Sequence, residues 1–335
     1  MPKPLIEFGS GRPLLDIASY ARRGPADRMH LAQEEIQLLS RTVRRTPEVM
    51  VKVLTKGGGD RKAVGRHLSY LSRDGMVEIE TDDGRHLNGQ GVEQELLEDW
   101  DLDLEEARRT STLKSRPGIA QPKLVHKVVF SMPAGTPADG LFRGAQAFAR
   151  ETFGAKHRYA MVLHTDEPHP HVHMVIKAVS EYGVRLNIRK ATLREWRREF
   201  ARQLRAQGIS ANATDKAVRG ATRPNLSDGM YRVIQRGASR RIWEQSGALG
   251  VEPTTASEAS SRESLLHTRV QVERGWMVVA EILDRQGQQD LAWHVRRFTG
   301  ALPPVRTDRE LLHKGLRPKE LRPKEHRPRQ QELTR

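Results

Sequence analysis

The chain has 335 residues, a formal net charge of +15 and no cysteine, with aromatic residues at only 5%. Without cysteine there are no disulfides and no thiolate metal sites, so any metal must be held by His, Asp or Glu. The basic balance favours a polyanionic partner, nucleic acid or an acidic membrane surface, and the scarcity of aromatics argues against binding mainly by base stacking.

The length suits about two domains. No apolar run reaches the roughly 18 residues of a membrane span, and the N-terminus, Met1 to Gly9, lacks a signal-peptide core. A soluble, cytoplasmic protein with no membrane insertion is expected. In chain order, residues 1–46 read as a basic leader, poorly ordered except where Ala32 to Val43 form a short helix. Glu48 to Leu54 is a strand. Gly57, Gly58 and Gly59 break it, and Asp60 caps a helix running to about Ser72 with Val64, Leu68 and Leu71 on one face. Asp74-Gly75 stops that helix, and a short strand, Met76 to Thr81, follows. Residues 85–122 are charged, hold no strong strand and admit a helix around Gln94–Thr110.

Leu124 to Ser131 is the next strand. Pro133 to Thr136 turns the chain into an amphipathic helix with Leu141, Ala145, Phe148 and Phe153 inside. Tyr159 to Leu163 and Met174 to Ile176 flank a histidine-rich turn, and Val184 to Arg189 alternates as a further strand. Thr192-Leu193-Arg194-Glu195 reads as a capping box. It opens a helix with Leu193, Trp196, Phe200 and Leu204 inside and its arginines largely outside, ended by Gly208. Antiparallel strands with helices between them give an α+β domain over 47–210, with a central antiparallel sheet and flanking helices. A basic helical region follows over 211–300, with helices at Arg232–Gln245 and Ser261–Arg285 and a loop at Thr254–Ser257. Residues 301–335 form an extended basic tail, because the Leu-Arg-Pro-Lys-Glu repeats of 316–330 place proline too often for a helix.

Residues 164–173 carry the strongest chemical signal: His164-Thr165-Asp166-Glu167-Pro168-His169-Pro170-His171-Val172-His173. Two prolines bar a regular ladder in the middle, so the segment is a hairpin turn. Alternate residues of a strand share a face, so His171 and His173 point the same way and His164 can join them from across the turn. Three converging imidazoles build a metal site with positions left open for substrate. Asp166 reads as an outer carboxylate that orients a ligand or as a turn cap. His169 lies in the turn, as a second-layer, DNA-facing or plain turn residue.

Of five tyrosines, Tyr70 stands out in His67-Leu68-Ser69-Tyr70-Leu71-Ser72-Arg73-Asp74-Gly75. It lies off the apolar stripe of its helix, near the helix end, where it can reach a site beside the sheet. Taken alone it also reads as a tyrosine at the edge of a core.

The segment His164-x-Asp166-x-x-His169-Pro170-His171-x-His173 resembles the third motif of DNA relaxases, the HUH endonucleases that nick a plasmid strand for conjugation. Leu68-Ser69-Tyr70-Leu71-Ser72-Arg73-x-Gly75 resembles the first motif of the VirD-type (MOB-P) branch, and Val128 to Thr136 is similar to its second. The three stand in the family's order over about residues 48–210, behind a leader longer than is usual for the family. The resemblance implies His164, His171 and His173 as ligands of a divalent metal, Mg or Mn. It implies Tyr70 as a nucleophile forming a 5′-phosphotyrosine bond, Asp166 as an outer-shell or proton-handling partner, and Ser131 as a residue near the nick. It further implies single-stranded and supercoiled DNA at an origin of transfer as substrate, with an accessory relaxosome protein and a type IV secretion coupling protein as partners. Arg73, Lys177, Arg185, Arg189 and Lys190 are the cations expected to meet phosphates, giving affinity rather than sequence readout. Other readings are a replication initiator or transposase of the same HUH class, a non-catalytic DNA-binding module with a structural metal, and a metal-dependent phosphodiesterase using water. The last two would be indifferent to loss of the Tyr70 hydroxyl.

Overall fold

A computed structural model describes residues 17–23, 30–54, 58–114, 122–220 and 256–305. Its helices are α1 (Ile17–Arg23), α2 (Gln33–Val43), α3 (Arg61–Ser72), α4 (Val92–Asp99), α5 (Leu102–Lys114), α6 (Ala138–Phe153), α7 (Lys190–Ala206), α8 (Ala256–Arg285) and α9 (Gln289–Gly300). The strands are β1 (Met50–Leu54), β2 (Ile79–Thr81), β3 (His86–Leu87), β4 (Val125–Ser131), β5 (Tyr159–His164) and β6 (His171–Lys177). They form one antiparallel sheet in the order β1-β4-β6-β5-β2-β3. This is the expected α+β architecture of a central antiparallel sheet with flanking helices. No helix among the described residues is long and apolar enough to cross a membrane.

The described chain divides into two compact units. One runs from Ala32 to Asp215. The other comprises the described parts of 17–31 and of 216–335. The first unit thus includes α2, ahead of residue 47, where the α+β domain is expected to begin. Its start is tied in by Asn212, fully buried, whose side-chain amide donates to Thr42 Oγ1 and to Glu48 Oε1. The leader is also not featureless: Ile17 and Tyr20 of α1 are buried. In the second unit α1 crosses α8 so closely that a Cβ on Gly275 would lie 1.9 Å from the Ile17 carbonyl oxygen. Trp276 is fully buried there and its indole donates to the Val218 carbonyl.

In the first unit both faces of the sheet are covered, which period-two alternation along β4 to β6 makes possible. Val128, Phe130, Met161, Val172, Met174 and Ile176 pack under α6 and α7, with Phe148, Phe153, Trp196 and Phe200. Burying one such aromatic contributes roughly 2–3 kcal/mol. The ring centroids of Phe130 lie 4.9 Å from Phe148 and 5.1 Å from Phe200. Gly144 lets the two helices close, because a Cβ there would sit 2.6 Å from a Leu204 methyl. On the other face Val125, Ala160, Val162 and Val175 pack with Val64, Leu68 and Leu71 of α3 and with Leu96, Leu97 and Trp100.

Several expectations are corrected. Val184 to Arg189 is not a strand: it folds back over the end of β6 through a single bridge, Val179 to Arg185, and a bond from Leu186 N–H to the Ala178 carbonyl. The helix expected around 94–110 is two helices, because Trp100 turns into the core and Asp101 takes a left-handed φ of 51°. A two-residue strand, β3, occurs where none was expected. The capping box of α7 lies three residues upstream, with Arg189 at the N-cap and Thr192 at N3, whose Oγ1 accepts from the Arg189 N–H. α8 begins at Ala256, so Ala256 and Ser257 are helical rather than loop. The helix expected at 232–245 and the repeats of 316–330 lie outside the described residues.

Candidate active site

α3 starts at Asp60, whose carboxylate accepts from the Ala63 N–H at 2.7 Å. It ends in three successive left-handed residues, Arg73, Asp74 and Gly75, at φ 51°, 56° and 87°. Side chains brace this turn: Ser69 Oγ donates to Asp74 Oδ1, and Ser72 Oγ accepts from the Gly75 N–H. The apolar stripe of α3 faces the sheet, which leaves Tyr70 on the open side, 70% exposed.

The histidine hairpin forms as expected. His164 of β5 stands directly opposite His171 of β6, and His173 follows two residues on, opposite Val162. One ring nitrogen from each of the three lies within 4.8 Å of the others. Backbone carbonyls orient two rings. His164 Nε2 bonds the Leu71 carbonyl at 2.9 Å and His171 Nδ1 bonds the His169 carbonyl at 3.0 Å. A carbonyl only accepts, so those nitrogens carry a proton and the second nitrogen of each ring is the one available to a metal. Burial, together with His164, His171 and His67 around it, pushes the His173 pKa down to about 3, so that ring is neutral near pH 7. The geometry suits a divalent cation on three imidazoles.

The bond from His164 to the Leu71 carbonyl also ties the end of α3 to the triad. Tyr70 joins the same end of the sheet through His67, one helical turn earlier. The His67 ring stacks on Tyr70 at 6.4 Å and 17°, and meets His173 edge-on at 6.4 Å. Arg73 reaches back to Asp166 at 2.6 Å, and its guanidinium holds that carboxyl below its ordinary pKa. Among the described residues Asp166 bonds Arg73 and no histidine ring. His169 is exposed and contributes its backbone carbonyl. Ser131, buried, stands opposite His171 on β4.

The other expected phosphate contacts are not gathered here. Lys177 lies at the opposite end of β6, buried and paired with Glu181 at 3.1 Å. Arg185 sits near it, bonded to the Lys123 carbonyl. Arg189 and Lys190 are exposed at the start of α7.

Two residues at the site were not singled out by sequence. His67 carries a buried Nε2 with no hydrogen-bond partner. Burial, with help from Lys127, lowers its pKa to about 4. Lys127 is itself buried, on the triad face of β4 between Val125 and Val129. The spacing of His67 three residues before Tyr70, and a lysine at an inward position of an apolar strand, are the signals that would have found them.

Residues 70–209 match the family model described as "Relaxase: MobA/VirD2-like, nuclease domain". The chain is also similar to proteins named T-DNA border endonuclease VirD2. It is 27% identical to that of Agrobacterium fabrum over 228 residues, 62% of this chain and 49% of the relative. It is 26% identical to that of Rhizobium rhizogenes over 227 residues, 62% of this chain and 50% of the relative. The chain therefore spans about half the length of these relatives.

Proposed function

We propose that the chain carries a nuclease domain of the VirD-type relaxase family and nicks one DNA strand at an origin of transfer through covalent attack by Tyr70. One observation carries the reading: an exposed phenol and a three-histidine cluster are held at one end of one sheet by the His164–Leu71 hydrogen bond. A tyrosine that merely edged the core would be covered.

His164, His171 and His173 would hold the cation, Mg or Mn in this reading. Bound there, it would offset negative charge on a non-bridging phosphate oxygen. The chain's own residues supply the rest. The Tyr70 phenol loses its proton, and its oxygen forms a bond to phosphorus while the bond from phosphorus to the 3′ oxygen breaks. The products are a 5′-phosphotyrosine and a 3′ hydroxyl that has taken up a proton. The phosphodiester bond count is conserved, so the strand can be resealed by the reverse step. Arg73 holds Asp166 beside the hairpin, and Arg73 and Ser131 are the expected DNA contacts that lie at the triad end. Single-stranded and supercoiled origin DNA, an accessory relaxosome protein and a type IV coupling protein are the partners this reading carries with it.

The test is a denaturing gel of protein with labelled single-stranded DNA bearing the nick site of its own element, plus Mg or Mn. A band shifted by the protein's mass and absent in Tyr70→Phe is the expected result. Cleavage that persists in the variant without a shifted band would mean a water nucleophile. Binding without cleavage would favour a DNA-binding module with a structural metal.

A further inference from the structure

Lys127 is only 6% exposed, yet it makes no hydrogen bond or ion pair among the described residues. Lys177, equally buried, is paired with Glu181. The stem of Lys127 is buried while its Nζ reaches the surface with no anion beside it among the described residues, and a partly desolvated ammonium gains from a partner. Burial, and then the charge of Lys123, lower the Lys127 pKa, and its own charge acts on His67.

The register shows where an anion would reach it. Lys127 stands between Leu54 of β1 and Val175 of β6, on the face that carries the triad. Ser131, four residues on, is in the row with Met50, His171 and His164. α3 covers β5 and β6 on this face but leaves β1 open, for Met50 is 47% exposed and Lys52 is exposed as well. Among the described residues an open strip along β1, marked by Met50 and Lys52, therefore runs beside the triad row and toward the Lys127 row, roughly 13 Å apart, next to Ser131, Val129 and Lys127 of β4, which are themselves buried. The exposed row of α3, Lys62, Arg66 and Tyr70 at i, i+4 and i+8, follows the same direction. The charge along it suits a nucleic-acid strand.

Resting on the relaxase reading above, we infer that Lys127 is a phosphate-binding residue, taking a backbone phosphate of the single strand next to the scissile one. Its missing counter-ion is the substrate. The strand leaving the triad lies in the strip beside α3, and Lys127 closes on the phosphate from the sheet side. The protein tolerates an unpaired charge in the free state because binding supplies the partner.

This predicts opposite effects on stability and on binding. The full chain is measured in a chelator, so that nothing is cleaved, against labelled single-stranded DNA carrying its nick site, over a series of salt concentrations. Lys127→Met should bind about ten-fold more weakly, with the slope of log affinity against log salt reduced by about 0.7, one phosphate contact on a single strand. Its thermal midpoint should equal or exceed that of the wild type, because an unpaired, partly desolvated charge is gone. Lys127→Gln is the second variant and should show the same loss of slope. Wild-type affinity and slope in both Lys127 variants, with the Tyr70 adduct intact in the wild type, overturns this inference alone. A wild-type chain that neither binds the strand nor forms the adduct overturns the relaxase reading and this inference with it.

Discussion

His126 and Lys127 are neighbours on β4 and face opposite sides of the sheet. Lys127 looks toward the triad, whereas the His126 ring bonds the Leu186 carbonyl and is pushed by burial to a pKa of about 4. An unfolded histidine titrates near 6.5. Between these values the unfolded chain holds a proton that the folded one refuses. Stability is therefore full above about pH 6.5 and falls as the pH drops toward 4, by at most roughly 3 kcal/mol from this residue. Urea midpoints near pH 7 and near pH 4.5 test it: His126→Gln should lose about 2 kcal/mol less than the wild type over that interval. An equal loss in both proteins would remove His126 from the acid response. At this scale the sequence is readable where strand parity alone decides, as for His164, His171 and His173. It was not readable for His67, because which side of α3 meets the sheet depends on partners far along the chain, such as Val162 and Val175.

The ends of the helices decide whether the triad and the tyrosine meet. Gly75 closes the turn after α3 with φ 87°, and a Cβ there would lie 1.9 Å from the Gly89 carbonyl oxygen. Gly75→Ala should cost roughly 3 kcal/mol or more and should reduce adduct formation at temperatures where the protein is still folded, since this turn aims Tyr70. A variant as stable and active as the wild type would show that the turn does not matter. At α7 the two candidate caps can be separated. Thr192 closes the box with Arg189, while Glu195 pairs with Arg198 at 3.1 Å. Thr192→Ala should cost about 1 kcal/mol and Glu195→Ala only a few tenths; the reverse order in denaturant melts would restore the cap expected from sequence. Helix starts of this kind are misplaced by sequence because Thr-x-x-Glu fits either as N-cap with N3 or as N3 with a surface ion pair. The break at Trp100 is hidden for a similar reason: the charged pattern continues through it, and only the pull of a buried indole sets it.

The two cores of the first unit lie on opposite faces of one sheet, and both are built within residues 49–213. The triad sits on the α3 face, at the end where β5 turns into β6, and Tyr70 and the three histidines proposed for the chemistry all lie within this unit. A fragment of residues 32–215 should accordingly fold cooperatively and form the DNA adduct. A fragment starting at 47, the boundary read from the strand and helix pattern, should fold less stably. It lacks α2, so Asn212 loses Thr42 as a partner for its amide, and the fully buried side chain keeps only Glu48. Loss of one such bond at a fully buried amide costs roughly 1–3 kcal/mol. Thermal melts of the two fragments decide the matter. A lower midpoint for the shorter piece, with the adduct still formed in both, places α2 as a brace outside the chemistry. Equal midpoints would return the boundary to 47. The basic character of residues 1–46 concealed this role because charge reports on partners rather than on packing, and the contact that fixes α2 comes from a residue 170 positions away.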